Sequence, residues 1–79
     1  MPEQFTMPAL GIAMTEGFVL EWVVDEGEAF VEGDALLRIE TDKAQTDVPA
    51  PFSGILVKRL VAEETEVPVG HPIAVLQRA

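Results

Sequence analysis

The sequence predicts an all-β domain, a flattened β-barrel or sandwich of two four-stranded antiparallel sheets with pseudo-two-fold symmetry and a lysine at one hairpin tip. Three observations carry that expectation. Glycine and proline separate short runs rich in Val, Leu, Ile and Phe, the pattern of strands and turns. Residues 17–40 align without gaps onto residues 54–77, the mark of an internal duplication. The chain has 79 residues and no cysteine, so residues 1–79 form a single domain held by core packing without disulfides.

The strands are expected at "QFTM", "GFVLEWVV", "AFV", "ALLRIE", "AQTDV", "FSGILVKRLV", "EVPV" and "PIAVLQ", in chain order from Gln4 to Gln77. β-Branched and aromatic residues dominate these runs and suit a pleated, half-buried surface. Only "VVDEGEAFVEGDALLRI" has helical appeal. Gly27 and Gly33 interrupt it, each costing a helix about 1 kcal/mol relative to Ala, so it reads as strands and turns. "VPAPFSG" at 48–54 is a corner where ladder hydrogen bonding pauses.

Between the two copies Gly17 matches Gly54, Val24 matches Val61, Glu26 matches Glu63 and Gly33 matches Gly70. Each copy supplies about half a sandwich whose apolar face needs the other. By the same shift of 37 the first strand, around Gln4 to Met7, matches Thr41 to Ala44. The chain termini should then lie together at one end, with the Lys43 turn at the symmetry-related other end. Gly27 matches Glu64, so that turn cannot depend on glycine in both halves. Trp22 over Arg59 suggests a half-exposed side where an aromatic and an aliphatic stem cover the core edge, and Glu21 over Lys58 looks like solvent face.

The hairpin around Lys43 has a definite register. With Asp42 and Lys43 as central turn residues, Thr41 opposes Ala44, Glu40 opposes Gln45, Ile39 opposes Thr46, Arg38 opposes Asp47 and Leu37 opposes Val48. Leu37, Ile39, Thr46 and Val48 then share the core face, and a one-residue slip would put Ile39 in water. Lysine has no backbone reason to sit in a tight turn, unlike Asn, Asp or Gly. A residue that breaks a local rule points to function, although a hairpin-tip lysine also serves plain solubility.

Composition excludes several classes. Five basic against fourteen acidic residues give a net charge of −9, which repels phosphate backbones and anionic lipid and favours basic partners. Neither nucleic acid nor membrane is an expected partner, and no apolar run is long enough to span a bilayer. A soluble protein of the cytoplasm, or of the mitochondrial matrix in a eukaryote, is expected. His71 is the sole histidine and Ser53 the sole serine, and there is no cysteine, so a metal site has little support and no Ser/His/Asp arrangement is credible.

"IETDKAQTDVPAPFSG", with "MTEG" upstream and "DEGEAFVEGD" between, resembles the lipoyl domain of the biotinyl/lipoyl-attachment family, as found in acyltransferase components of 2-oxo acid dehydrogenase complexes. The resemblance spans residues 3 to 78, with Asp42-Lys43-Ala44 in a hairpin between two half-repeats. It implies lipoic acid joined by an amide to Lys43, flanked by Asp42, Ala44 and Glu40. It implies a swinging arm, non-catalytic on its own, serving a 2-oxo acid or acetoin dehydrogenase complex. Its partners would be a lipoate-attaching enzyme, a thiamine-dependent decarboxylating component, an acyltransferase catalytic domain and dihydrolipoyl dehydrogenase. By the same resemblance "MPALGIAMTEG" lies beside the hairpin and is touched by the decarboxylating component. There Leu10, Gly11, Ile12 and Met14 either form a contact patch or fold back to cap the barrel end. The biotinyl branch carries a methionine on each side of its lysine, whereas Asp42 and Ala44 stand here. A biotin carrier domain and an unmodified interaction module are the alternatives. No linker, subunit-binding domain or acyltransferase domain follows in this sequence.

Overall fold

The computed structural model describes residues 1–11, 14–41 and 44–79; Ile12, Ala13, Asp42 and Lys43 lie outside the described residues. Eight strands follow one another: β1 (Pro2–Thr6), β2 (Glu16–Trp22), β3 (Ala29–Phe30), β4 (Ala35–Glu40), β5 (Gln45–Pro49), β6 (Gly54–Arg59), β7 (Thr65–Pro68) and β8 (Pro72–Arg78). They form two antiparallel four-stranded sheets, ordered β1-β8-β6-β3 and β5-β4-β2-β7. The molecule is elongated, with principal extents of 33 × 21 × 18 Å, and the two sheets pack face to face across it.

The duplication is visible bond by bond. β2, β3 and β4 of the first copy correspond to β6, β7 and β8 of the second, but each sheet takes strands from both copies. The halves therefore interleave, and neither copy forms a sheet alone. The Gly27 N–H donates to the Leu56 carbonyl, and at the matching positions the Glu64 N–H donates to the Val19 carbonyl. Gly27 has φ +86 and Glu64 has φ +62. The mismatch noted in the sequence thus leaves the backbone unchanged: both turns are left-handed, and Glu64 adopts a conformation that costs an L-residue with a Cβ about 1 kcal/mol or more.

The match proposed for the first strand is wrong. Met7 exchanges backbone hydrogen bonds with Gly70 and His71, and Ala50 does the same with Gly33 and Asp34. Met7 therefore corresponds to Ala50, and β1 corresponds to β5 with a shift of 43. Ten residues carry the chain from Met7 to Gly17, but four suffice from Ala50 to Gly54, so six extra residues sit in the β1–β2 loop of the first copy. A gapless comparison could not see an insertion lying outside its window. Pro2 pairs with Gln77, which brings the chain ends together in the position that corresponds to Gln45 paired with Glu40.

The core is formed by the inward faces of both sheets, with Val19, Leu36, Leu37, Ile39, Val48, Leu56, Ile73, Ala74 and Leu76 at its centre. Each such Leu or Ile contributes about 1.5–3 kcal/mol by leaving water. Strict alternation would bury Leu37 and expose Leu36. A β-bulge instead lets Leu36 face inward as well, since Ala35 pairs with Pro49 and Leu37 with Val48. The same bulge recurs at Ile73, between Pro72 opposite Thr6 and Ala74 opposite Phe5.

Trp22 is buried rather than half-exposed, at 8%. The Arg59 guanidinium lies 5.6 Å over its ring and pairs with Asp25 at 2.7 Å, so the mismatched positions do cover one another. Glu21 and Lys58 are both exposed. On the outer face of β4, Arg38 reaches Asp47 and Glu21 at 3.1 and 3.2 Å. The hydrogen bond and charge of Asp47, followed by the charge of Glu21, raise its guanidinium pKa above the ordinary value.

Candidate functional site

The hairpin between β4 and β5 forms in the register that burial demands. Leu37 opposes Val48, Arg38 opposes Asp47, Ile39 opposes Thr46 and Glu40 opposes Gln45. The Thr41 N–H then donates to the Ala44 carbonyl at 2.9 Å, and the Thr41 Oγ1 donates to the same oxygen at 3.2 Å. Two hydrogen bonds from one residue close the hairpin, so the strands are locked together up to Thr41 and Ala44. Asp42 and Lys43 stand between them in the sequence, outside the described residues. Leu37, Ile39 and Val48 are fully buried. This core anchorage fixes where the strand ends emerge.

Beside the hairpin lies an open groove of about 610 Å³, lined by Glu16, Phe18, Glu40, Thr41, Ala44, Gln45 and Glu66. Its floor is a cross-strand row, since Phe18 of β2 opposes Glu66 of β7 on one side and Glu40 of β4 on the other. The corresponding row of the other sheet holds Ala29, Ile55 and Gln77. The fold itself therefore does not require carboxylates at these positions. Among the described residues the charged groups of its lining are the carboxylates of Glu16, Glu40 and Glu66, which suit a basic approaching surface.

Among the residues named from the sequence, Glu40 and Ala44 come together here, both exposed, on either side of the turn. Leu10 is 41% exposed and Gly11 is exposed. Met14 instead turns inward and packs on the core, and Ile12 lies outside the described residues. Glu16, Phe18 and Glu66 were missed by sequence reasoning. Their signal is the contrast with Ser53, Ile55 and Ala29 at the matching positions, which becomes readable only once the pairing of β7, β2 and β4 is known. Among the described residues no cluster of three or more His, Cys, Asp and Glu could hold a metal ion. His71 is exposed in the turn before β8.

Comparison with known proteins adds to this geometry. The Biotin_lipoyl family model, described as "Biotin-requiring enzyme", matches residues 3–76. The chain is 44% identical over 71 residues to the dihydrolipoyllysine-residue acetyltransferase component of the acetoin cleaving system of Pseudomonas putida, a match covering 90% of this chain and 19% of that protein. Among solved structures, a single-chain, multi-domain long-chain acyl-CoA carboxylase matches with a TM-score of 0.82 at 27% identity, over 99% of this chain and 7% of that one. The lipoyl domain of the 2-oxoglutarate dehydrogenase complex from Azotobacter vinelandii matches with a TM-score of 0.76 at 25% identity, over 96% of both chains. The chain spans less than a fifth of the length of curated relatives that it matches.

Proposed function

The chain belongs to the biotinyl/lipoyl-attachment family, and from that premise we propose that it is a lipoyl carrier domain whose Lys43 bears lipoic acid in amide linkage. The observation that carries this reading is the Asp42-Lys43-Ala44 sequence in a hairpin closed by Thr41 and Ala44, with neighbours other than the paired methionines of biotinyl domains. The relative from the acetoin cleaving system is named for a dihydrolipoyllysine residue, which supports the same choice.

The residues fit such a group. An attachment lysine needs an amine free of the core and a rigid base, and the locked strand ends up to Thr41 and Ala44 supply the base. When bound, the dithiolane supplies acyl-carrying and hydrogen-carrying chemistry, and the protein supplies attachment, reach and recognition. Ile39 and Val48 anchor the hairpin, Glu40 and Ala44 flank its tip, and the acidic groove offers a surface for a basic partner. Tethering raises the local concentration of the acyl group at successive active sites. Those sites belong, in this proposal, to a thiamine-dependent decarboxylating component, an acyltransferase and dihydrolipoyl dehydrogenase of a 2-oxo acid or acetoin dehydrogenase complex.

The likeness to a carboxylase structure supports a second reading, a biotin carrier. Reductive acylation separates the two. The lipoylated chain, mixed with a decarboxylating component and its 2-oxo acid or acetoin, should gain an acyl group detectable by intact mass. Failure with pyruvate, branched-chain, 2-oxoglutarate and acetoin components alike, together with carboxylation of a biotinylated chain by biotin carboxylase, would establish the second reading instead.

A further inference from the structure

Among the described residues of the loop between Met7 and Gly17, the Met14 side chain reaches both the core and the outward part of the loop. A Cβ placed on Gly17 would lie 3.2 Å from Ile39 Cδ1, 3.2 Å from Met14 Cε and 3.4 Å from Met7 Sδ. Three side chains therefore rest on the bare α-carbon of Gly17. Met7 opens the inserted loop, Met14 lies near its end, and Ile39 is the buried residue of β4 next to Glu40 at the hairpin. Met14 also faces the other way, because its Sδ accepts the Leu10 N–H at 3.2 Å. Its own N–H donates to the Gly11 carbonyl at 3.1 Å. One flexible thioether thus joins the outward segment Leu10–Gly11 to Gly17 of β2, the same point on which Ile39 of the hairpin strand β4 rests.

The second copy shows that this arrangement is not a requirement of the fold. At Gly54 a Cβ would meet the Gln77 backbone, with no side chain among its nearest contacts, and the loop there is shorter by six residues. We infer that Met14 is a positioning residue: it fixes Leu10 and Gly11 relative to the hairpin, so that the enzyme acylating the arm meets both as one surface. This rests on the carrier reading above. Met14 touches neither the arm nor the substrate in this role. Losing it loosens the recognition surface before binding and should raise KM while leaving kcat, because the lost order weakens ground state and transition state alike.

The test compares parent, Met14→Ala and Met14→Leu, each fully lipoylated as checked by intact mass, as substrates for reductive acylation by the decarboxylating component that accepts the parent. Amide hydrogen exchange at Leu10 is followed in the same samples. Met14→Ala should raise KM about tenfold with kcat within about twofold, and the Leu10 amide should exchange faster. Met14→Leu keeps the apolar packing on Gly17 but offers no acceptor to the Leu10 N–H, and should recover only part of the KM while the Leu10 amide exchanges faster than in the parent. An unchanged KM in Met14→Ala, with a parent that is acylated, overturns the positioning role alone. A fall in kcat with unchanged KM overturns it as well. A parent that no such component acylates overturns the carrier reading, and the positioning role with it.

Discussion

The Glu63 carboxylate accepts the backbone N–H of Trp22 at 2.8 Å across 41 residues of sequence. The corresponding Glu26 carboxylate accepts the N–H of Arg59 at the same distance. Each half-repeat thus reaches into the other with its one matched glutamate, and satisfies a strand-end donor that a bulge and a turn leave without a ladder partner. Interleaved strands make this reciprocity possible. Two copies that built separate sheets would have no reason to keep both acids.

Removing either glutamate should destabilise the fold. Glu63→Ala leaves the Trp22 N–H without its charged acceptor beside a buried indole, at a cost of about 1–2 kcal/mol, which is a fall in Tm of about 4–8 °C per kcal/mol for a chain of this size. Glu63→Gln keeps an acceptor and should cost less than half of that. Urea denaturation of the three proteins checks the order. Equal stability of Glu63→Ala and parent would remove the cross-copy bond from the account of stability.

The paired left-handed turns predict substitutions of opposite sign. Gly27→Ala forces a Cβ into φ +86, and Glu64→Gly relieves one at φ +62. The first should cost about 1 kcal/mol and the second should gain somewhat less, since glycine also frees the unfolded chain. Thermal melts of the two single variants show the contrast. A stabilising Gly27→Ala would contradict it.

Gly17 and Gly54 match in sequence but meet different neighbours, and alanine should distinguish them. At Gly54 the added Cβ runs into the Gln77 carbonyl on the adjacent strand β8, and backbone in a central strand pair cannot yield without breaking the ladder. About 3 kcal/mol should be lost. At Gly17 the neighbours are the ends of Met14, Met7 and Ile39, two of them flexible thioethers, and about 1 kcal/mol is expected. Chemical denaturation of both variants measures the difference.

Much of this was legible in the sequence because burial alone determines it. Leu37, Ile39 and Val48 can face the core in one register only, and that register fixed the hairpin down to the Glu40–Gln45 pair. Gly27 and Gly33, which broke the one stretch of helical appeal, do lie in turns, and the structure adds that both have positive φ. What stayed hidden depends on contacts between distant segments. Leu36 breaks the two-residue period through a bulge, so no alternation rule could bury it together with Leu37. The true partner of β1 was obscured by the six-residue insertion, which a gapless comparison cannot detect. The acidic groove needed β7 placed beside β2, a pairing that no local pattern encodes. Lys43 was singled out by residue type and by the resemblance of its neighbours, and its role as the attachment point remains the proposal to be tested.

Exchanging two neighbours tests whether the hairpin presents the lysine by geometry. Asp42→Lys combined with Lys43→Asp keeps composition and charge, and leaves Leu37, Ile39, Thr46, Val48 and the Arg38–Asp47 pair in place. The fold should survive within about 0.5 kcal/mol. Lipoylation, followed by timed mass spectrometry, should fall sharply. A swapped chain modified as fast as the parent would mean that the ligase needs only an accessible lysine on an acidic domain.

The central claim is most directly tested by producing the chain together with both lipoate-attaching and biotin-attaching enzymes, and reading the product by intact mass and peptide mapping. A single lipoyl adduct on Lys43 is predicted, with Lys58, exposed on β6 opposite Val75, left free, and with no adduct on Lys43→Ala. A biotinyl adduct, an adduct on Lys58, or an unmodified chain would contradict the assignment of Lys43 as the lipoyl-bearing arm.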